Sequence, residues 1–166
     1  MQTASHIILS QEIIERKLQR MAYEVYERNE EASRIILAGI ADRGTVVARK
    51  IESLLKKIAP FEVIFTEIQI NKAHPLTCSW QPRVPFENEV VIVVDDVANT
   101  GRTLFYAMKP FMEAIPAALQ TLVLIDRQHK AFPVHIDYTG YSLATTLQEQ
   151  IFVKTEGDQI IHAYIQ

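Results

Sequence analysis

Ile13, Ile14, Leu18, Met21, Ala22 and Val25 recur at helical spacing in "LSQEIIERKLQRMAYEVYERNEE", which predicts an amphipathic helix with Ser10 as its N-cap. "SRIILAGIADRG" follows, a short apolar run closed by a charged turn with a glycine, and predicts a buried strand. The 3.6-residue period returns in "TVVARKIESLLKKI" and predicts a second helix. "FEVIFTEIQI", rich in β-branched and aromatic residues with partial alternation, predicts a strand over residues 61–70. Residues 71–88 lose periodicity and carry Pro75, Pro82 and Pro85, so they predict a long loop.

The pattern then resumes as strand "EVVIVVDD", helix "RTLFYAMKPFMEAI" with a kink expected at Pro110, and strand "LQTLVLIDR". Short strands are expected around "HIDYTGY", "EQIFVK" and "QIIHAYI". Alternating strands and helices predict an α/β domain with a largely parallel central sheet flanked by helices. Such sheets bind ligands at the carboxyl ends of their strands. Three of those ends are polar here, "IADRG", "VDDVANTGRT" and "IDRQH", and are expected to converge on one crevice.

Composition narrows this without redirecting it. A chain of 166 residues, 48% apolar and 22% charged, fits one globular domain spanning residues 1–166. The formal charge of -3 supplies no global basic field, so nucleic-acid binding would need a local patch. Cys78 is the only cysteine, which excludes an internal disulfide and suits a reducing, cytoplasmic setting. No apolar run approaches the roughly 18 residues a membrane span needs, and the first residues show no secretory pattern.

The chemistry concentrates after residue 94. Asp95 and Asp96 stand side by side at the end of an apolar strand, followed by a small-residue turn, Gly101 and the hydroxyls of Thr100 and Thr103. A glycine turn leading into a helix suits an anion such as phosphate. The carboxylates suit the hydroxyls of a neighbouring ribose, or a magnesium ion reached through water.

This stretch resembles the 5-phosphoribosyl-1-pyrophosphate (PRPP) motif of the type I phosphoribosyltransferases, and "LAGIADRG" resembles the loop that holds pyrophosphate in that family. Within it, "ILSQEIIERKLQRMAYEVYERN", "GIADRG", "VDDVANTGRT", "VLIDRQHKAFPVHIDYTGYSLATT" and "HAYI" are similar to the pyrimidine-operon attenuators that double as uracil phosphoribosyltransferases. The resemblance implies the type I fold with a small hood. It implies transfer of phosphoribosyl from PRPP to a base, with uracil ahead of a purine, and Mg2+ as cofactor.

Its site would comprise Asp95, Asp96 and Arg43 as catalytic residues, with the acidic pair reaching the metal through water and ribose. PRPP would lie on Ala41, Asp42, Arg43 and Gly44 at one turn and on Asp95, Asp96, Val97, Ala98, Asn99, Thr100, Gly101, Arg102 and Thr103 at the other. Arg127 and Tyr141 would meet the base in a hood over residues 127–147, and residues 71–89 would form a lid. There the chain departs from the family, with Lys72 and His74 in place of an aromatic-Arg-Asp cluster.

The resemblance also implies a homodimer or higher homo-oligomer, with Phe105 and Phe111 either at that contact or in the core. Messenger RNA is a further implied partner, for which the chain offers Arg16, Lys17 and Arg20 on the first helix and Arg127, His129 and Lys130 later. Two readings stay open: an enzyme that makes UMP, and a nucleotide-sensing RNA attenuator with little turnover.

Overall fold

The structure, a computed structural model, describes residues 5–166. Strand β1 (His6–Ser10) runs into helix α1 (Gln11–Arg28), whose Ser10 cap accepts a hydrogen bond from the Ile13 amide at 3.4 Å. The helix buries Ile14, Leu18, Met21, Ala22 and Val25, as its periodicity predicts. Ile13, read onto the same stripe, is 44% exposed instead. Its neighbours one, two and three turns on are the polar residues Lys17, Arg20 and Glu24, so it lies at the stripe's edge.

Next come strand β2 (Arg34–Ile40), helix α2 (Arg43–Ile58), strand β3 (Glu62–Ile70), strand β4 (Cys78–Gln81), strand β5 (Val90–Ala98) and helix α3 (Arg102–Ala107). Strands β6 (Ala118–Arg127), β7 (Tyr138–Leu143), β8 (Ile151–Glu156) and β9 (Gln159–Ile165) complete the chain. The main sheet has the order β4-β3-β2-β5-β6-β7, and every pairing in it is parallel except that of edge strand β4. A separate antiparallel sheet, β1-β9-β8, joins the two ends of the chain.

Residues 35–40 of β2 and 90–96 of β5 are buried without interruption, because both faces of the sheet are covered. Alternation divides them. Ile35 and Leu37 pack toward α1, α2 and the small sheet, while Ile36, Ala38 and Ile40 pack toward α3, Trp80 and Phe86. Among the described residues no helix is long and apolar enough to cross a membrane.

Two expectations about elements are corrected. The segment expected to be one long loop contains β4, in which Trp80 is buried between exposed Ser79 and Gln81. Trp80 packs with Phe86 and Phe111 at ring-centroid distances of 5.7 and 5.1 Å, and this cluster anchors the strand. The helix expected through residue 115 ends at Ala107 and passes into a 3₁₀ turn over Lys109–Met112, since Pro110 lacks the amide an α-helix needs. Phe111 is 1% exposed and belongs to the core.

Candidate functional site

A cavity of about 410 Å³ opens where β5 and β6 end. Asp95 and Asp96 form part of its lining and are 2% and 4% exposed. The Asp96 amide donates to Asp95 Oδ1 at 2.9 Å, so the first carboxylate braces the backbone of the second. Burial pushes the Asp95 carboxyl well above the usual carboxylate range, and the charge of Asp96 pushes it the same way. Lys72, which opposes that shift, places its Nζ 3.8 Å from Asp95 Oδ1. Arg43 Nε lies 3.0 Å from Asp96 Oδ2.

Arg43 reaches the pair because α2 begins against β5. A Cβ on Gly44 would stand 2.7 Å from the Val94 carbonyl oxygen and 3.1 Å from Asp95 Oδ1, so only glycine permits the approach. Ala41 and Asp42 form the turn before it, where the Ala41 amide donates to the Ile68 carbonyl at 2.9 Å. Of residues 41–44, Arg43 alone lines the cavity.

The second turn lies wholly on the cavity wall, from Val97 and Ala98 at the end of β5 through Asn99, Thr100 and Gly101 to Arg102 and Thr103. Gly101 has φ of 83°, a left-handed conformation that favours glycine. The turn is braced from behind, since the Thr100 carbonyl accepts the amides of Ala131 and Phe132 at 2.9 and 3.1 Å. Within the turn the Arg102 amide donates to Thr100 Oγ1 at 3.3 Å, and the backbone amides and two threonine hydroxyls of the turn are the kind of donors an oxyanion requires.

Arg127 lines the same cavity from the end of β6, and its Nη2 donates to the Thr146 carbonyl at 2.9 Å. Tyr141 does not line it. The Tyr141 ring meets Lys17 of α1 instead, with Nζ 5.2 Å from the ring centroid. The segment 127–147 supplies β7 to the main sheet and, at its end, Leu147 to the cavity, while Gln150, Ile151 and Phe152 line the cavity from just beyond it.

Gln150, Ile151, Phe152 and Lys72 were missed as site residues, whereas Leu147 lies within the expected hood. "EQIFVK" shows a strand pattern but nothing that ties it to the acidic pair, because the link is tertiary. Lys72 carried one signal, a cation standing where the family pattern places something else. The basic residues of α1 are engaged: Arg16 pairs with Glu12 and Arg20 with Glu24, both at 2.6 Å, and Arg20 also donates to the Thr139 and Gly140 carbonyls.

Among the described residues no group of three or more His, Cys, Asp or Glu side chains could by itself hold a metal ion. The buried pair nonetheless offers hard oxygen donors, which suit magnesium when a ligand supplies the remaining oxygens.

Residues 5–159 match the phosphoribosyl transferase domain. The chain is 36% identical over 147 residues to the bifunctional protein PyrR of Streptococcus mutans, covering 84% of this chain and 82% of that one. It is 31% identical over 152 residues to the pyrimidine operon regulatory protein of Lactococcus lactis, covering 89% and 88%. Among solved structures, a hypoxanthine-guanine phosphoribosyltransferase of Bacillus anthracis superposes with a TM-score of 0.75 at 19% identity, covering 95% of this chain and 96% of that one.

Proposed function

The chain belongs to the phosphoribosyl transferase domain family, and from that premise we propose that it transfers the 5-phosphoribosyl group of PRPP to uracil, giving UMP and pyrophosphate. The observation that carries this reading is the buried Asp95–Asp96 pair facing the 97–103 turn across one cavity, with Arg43 beside it. Uracil, rather than a purine, is favoured by the pyrimidine operon role named for the Lactococcus lactis relative. The purine enzyme from Bacillus anthracis speaks for the fold alone.

In this scheme the 5-phosphate lies on the amides and hydroxyls of residues 98–103, and the ribose hydroxyls donate to Asp95 and Asp96. A uracil nitrogen forms the bond to C1 as the bond from C1 to the pyrophosphate oxygen breaks, its electron pair leaving with pyrophosphate and the nitrogen's proton passing to solvent. The transition state has oxocarbenium character, as in other glycosidic displacements. Negative charge on the acidic pair, held without reorganisation, favours the cationic ring. Arg43 faces the leaving group. Magnesium bound with PRPP would be met by Asp95 and Asp96 through water and would neutralise pyrophosphate charge.

Ile151 and Phe152 supply an apolar surface at the same cavity, suited to a planar base, and roof it against water. Arg127 ties down the chain just before β8, donating to the Thr146 carbonyl at 2.9 Å. Residues 71–77, joining β3 to β4, and residues 82–89, leading into β5, are the parts of the expected lid that stay outside regular structure.

The test is pyrophosphate release from PRPP and Mg2+ with uracil, hypoxanthine, guanine or no base, with the Asp95→Asn/Asp96→Asn variant as blank. Release that needs uracil and vanishes in the variant is expected. Release with a purine alone overturns the choice of base, and release with none of the bases overturns the enzyme.

A further inference from the structure

Helix α2 begins with little support from its own sequence. Asp42 stands at the N-cap but makes no side-chain bond there, and no acidic residue occupies the first turn. A helix N-terminus gains from both a capping oxygen and a nearby negative charge. Here a carboxylate comes from another element. Thr45 Oγ1, in the first turn, donates to Glu67 Oε2 of β3 at 2.9 Å, and Gln69 Nε2 donates to Glu67 Oε1. With both carboxylate oxygens engaged, the Glu67 side chain is held toward the helix.

Strand register turns this contact into one end of a seat. Gly39 of β2 pairs with Glu67 on β3 and with Val94 on β5, so the three residues form a row across the sheet. The first turn of α2 lies on that row. A Cβ on Gly39 would stand 2.9 Å from Thr45 Cα, and one on Gly44 would stand 2.7 Å from the Val94 carbonyl oxygen. Such backbone contacts set how closely the turn approaches β2 and β5, but they have no direction. The Thr45–Glu67 hydrogen bond is directional, and it fixes the roll of the turn about the helix axis. Arg43 opens that turn, so the roll decides where its guanidinium points.

We propose that Glu67 is a positioning residue for Arg43, acting through the Thr45 hydroxyl on the first turn of α2. The assignment rests on the phosphoribosyltransferase reading of the cavity, in which Arg43 faces the leaving pyrophosphate. Glu67 lies outside the residues that line the cavity and meets no reacting atom. Its effect falls on the rate, because a displaced charge loses transition-state stabilisation while the contacts to the base and the 5-phosphate stay in place.

Steady-state pyrophosphate release from PRPP and Mg2+, with the base that supports it, tests this beside thermal denaturation. Glu67→Met should lower kcat about 10-fold and leave KM for the base within about 2-fold. Thr45→Val breaks the same bond from the other side and should give the same loss, with the double variant no worse than either alone. Glu67→Gln keeps an acceptor and Thr45→Ser keeps the donor, so each should retain most of the rate. In an Arg43→Met background, Glu67→Met should cost less than about 2-fold, because the group it positions is gone.

An unchanged kcat in both Glu67→Met and Thr45→Val overturns the assignment. So does a loss that persists in full in the Arg43→Met background, which would make the bond a packing contact independent of Arg43. A wild-type protein that releases no pyrophosphate with any base overturns the reading of the cavity itself, and the assignment with it.

Discussion

Arg43 Nε stands 3.0 Å from Asp96 Oδ2, with the arginine side chain 46% exposed and the carboxylate 5% exposed. Water can replace a half-exposed guanidinium in the free protein, so the pair stabilises the fold by less than about 1 kcal/mol. In the proposed reaction its value lies in the bound state, where Arg43 would face a leaving group that water solvates less well in a closed cavity. Arg43→Met is therefore expected to lower kcat/KM about 100-fold while moving the melting temperature little, and Arg43→Lys to keep part of the activity. Steady-state kinetics beside thermal denaturation check this. A large fall in melting temperature with activity preserved would show the pair to be structural.

Asp95 gives a pH dependence of stability with a definite sign. Burial and the neighbouring Asp96 raise its carboxyl in the folded state, so the folded protein holds a proton that the unfolded chain has already lost. Stability from this group is present below the ordinary carboxylate range and is lost as pH rises through the window between that range and the raised folded value. Asp95→Asn keeps an acceptor for the Asp96 amide and removes the charge. Its melting temperature should match the wild type near pH 4 and exceed it by a few degrees at pH 8, each kcal/mol being worth about 2–4 °C. Activity should fall in the same variant, since the charge that costs stability is the one the proposed reaction sets beside the ribosyl cation. Melting curves across pH that run parallel would refute the account.

Gly44 links the two halves of the site through backbone contact alone. A methyl group there meets the Val94 carbonyl at 2.7 Å, and neither backbone can yield without moving Asp95 or Arg43. Gly44→Ala should cost about 1–3 kcal/mol from overpacking and weaken PRPP binding as well. Denaturant unfolding and calorimetry on one preparation would show whether both losses occur together.

Legibility followed sequence distance. The acidic pair and the 97–103 turn are contiguous, so one strand-turn-helix carries most of the cavity wall, and its place at a strand end could be read directly. The stripe Ile14, Leu18, Met21, Val25 was equally plain because periodicity is local. Strand β4 was not, since four residues between prolines carry no period, and Trp80 becomes a core residue only by meeting Phe86 and Phe111. Tyr141 was placed at the base by resemblance, yet its strand pairs with β6 in a register that sends the ring to Lys17. The roof residues come from β8, whose approach to β5 depends on the β1-β9-β8 sheet that closes the chain's two ends together.

Trp80 itself separates packing from polarity. Its Nε1 is buried with no hydrogen-bond partner, so its contribution is its ring surface against Phe86 and Phe111. Trp80→Phe removes the unpaired N–H along with some volume, and the two effects offset, leaving a net change below about 1.5 kcal/mol. Trp80→Ala leaves a cavity and should cost about 3–5 kcal/mol. Equal destabilisation by the two substitutions, measured by denaturant unfolding, would mean that the indole N–H matters after all.

In the proposed reaction Phe152 offers the base a stacking surface. Its ring lines the cavity on one side and stacks against Tyr164 on the neighbouring strand, with centroids 5.4 Å apart and planes 23° apart. That backing fixes the ring before ligand arrives, so a base that stacks on it meets a preorganised surface. An aromatic platform contributes about 1–3 kcal/mol per stacked base, or about 5- to 150-fold in affinity. Phe152→Ala should accordingly raise KM for uracil within that range while leaving KM for PRPP near the wild-type value, because the phosphate turn and the acidic pair lie on β5 and are untouched. Tyr164→Ala, which removes only the backing, should give a smaller effect of the same kind. Equal increases in both KM values would place Phe152 in the packing of the roof and leave the base to be held by Arg127 and Ile151.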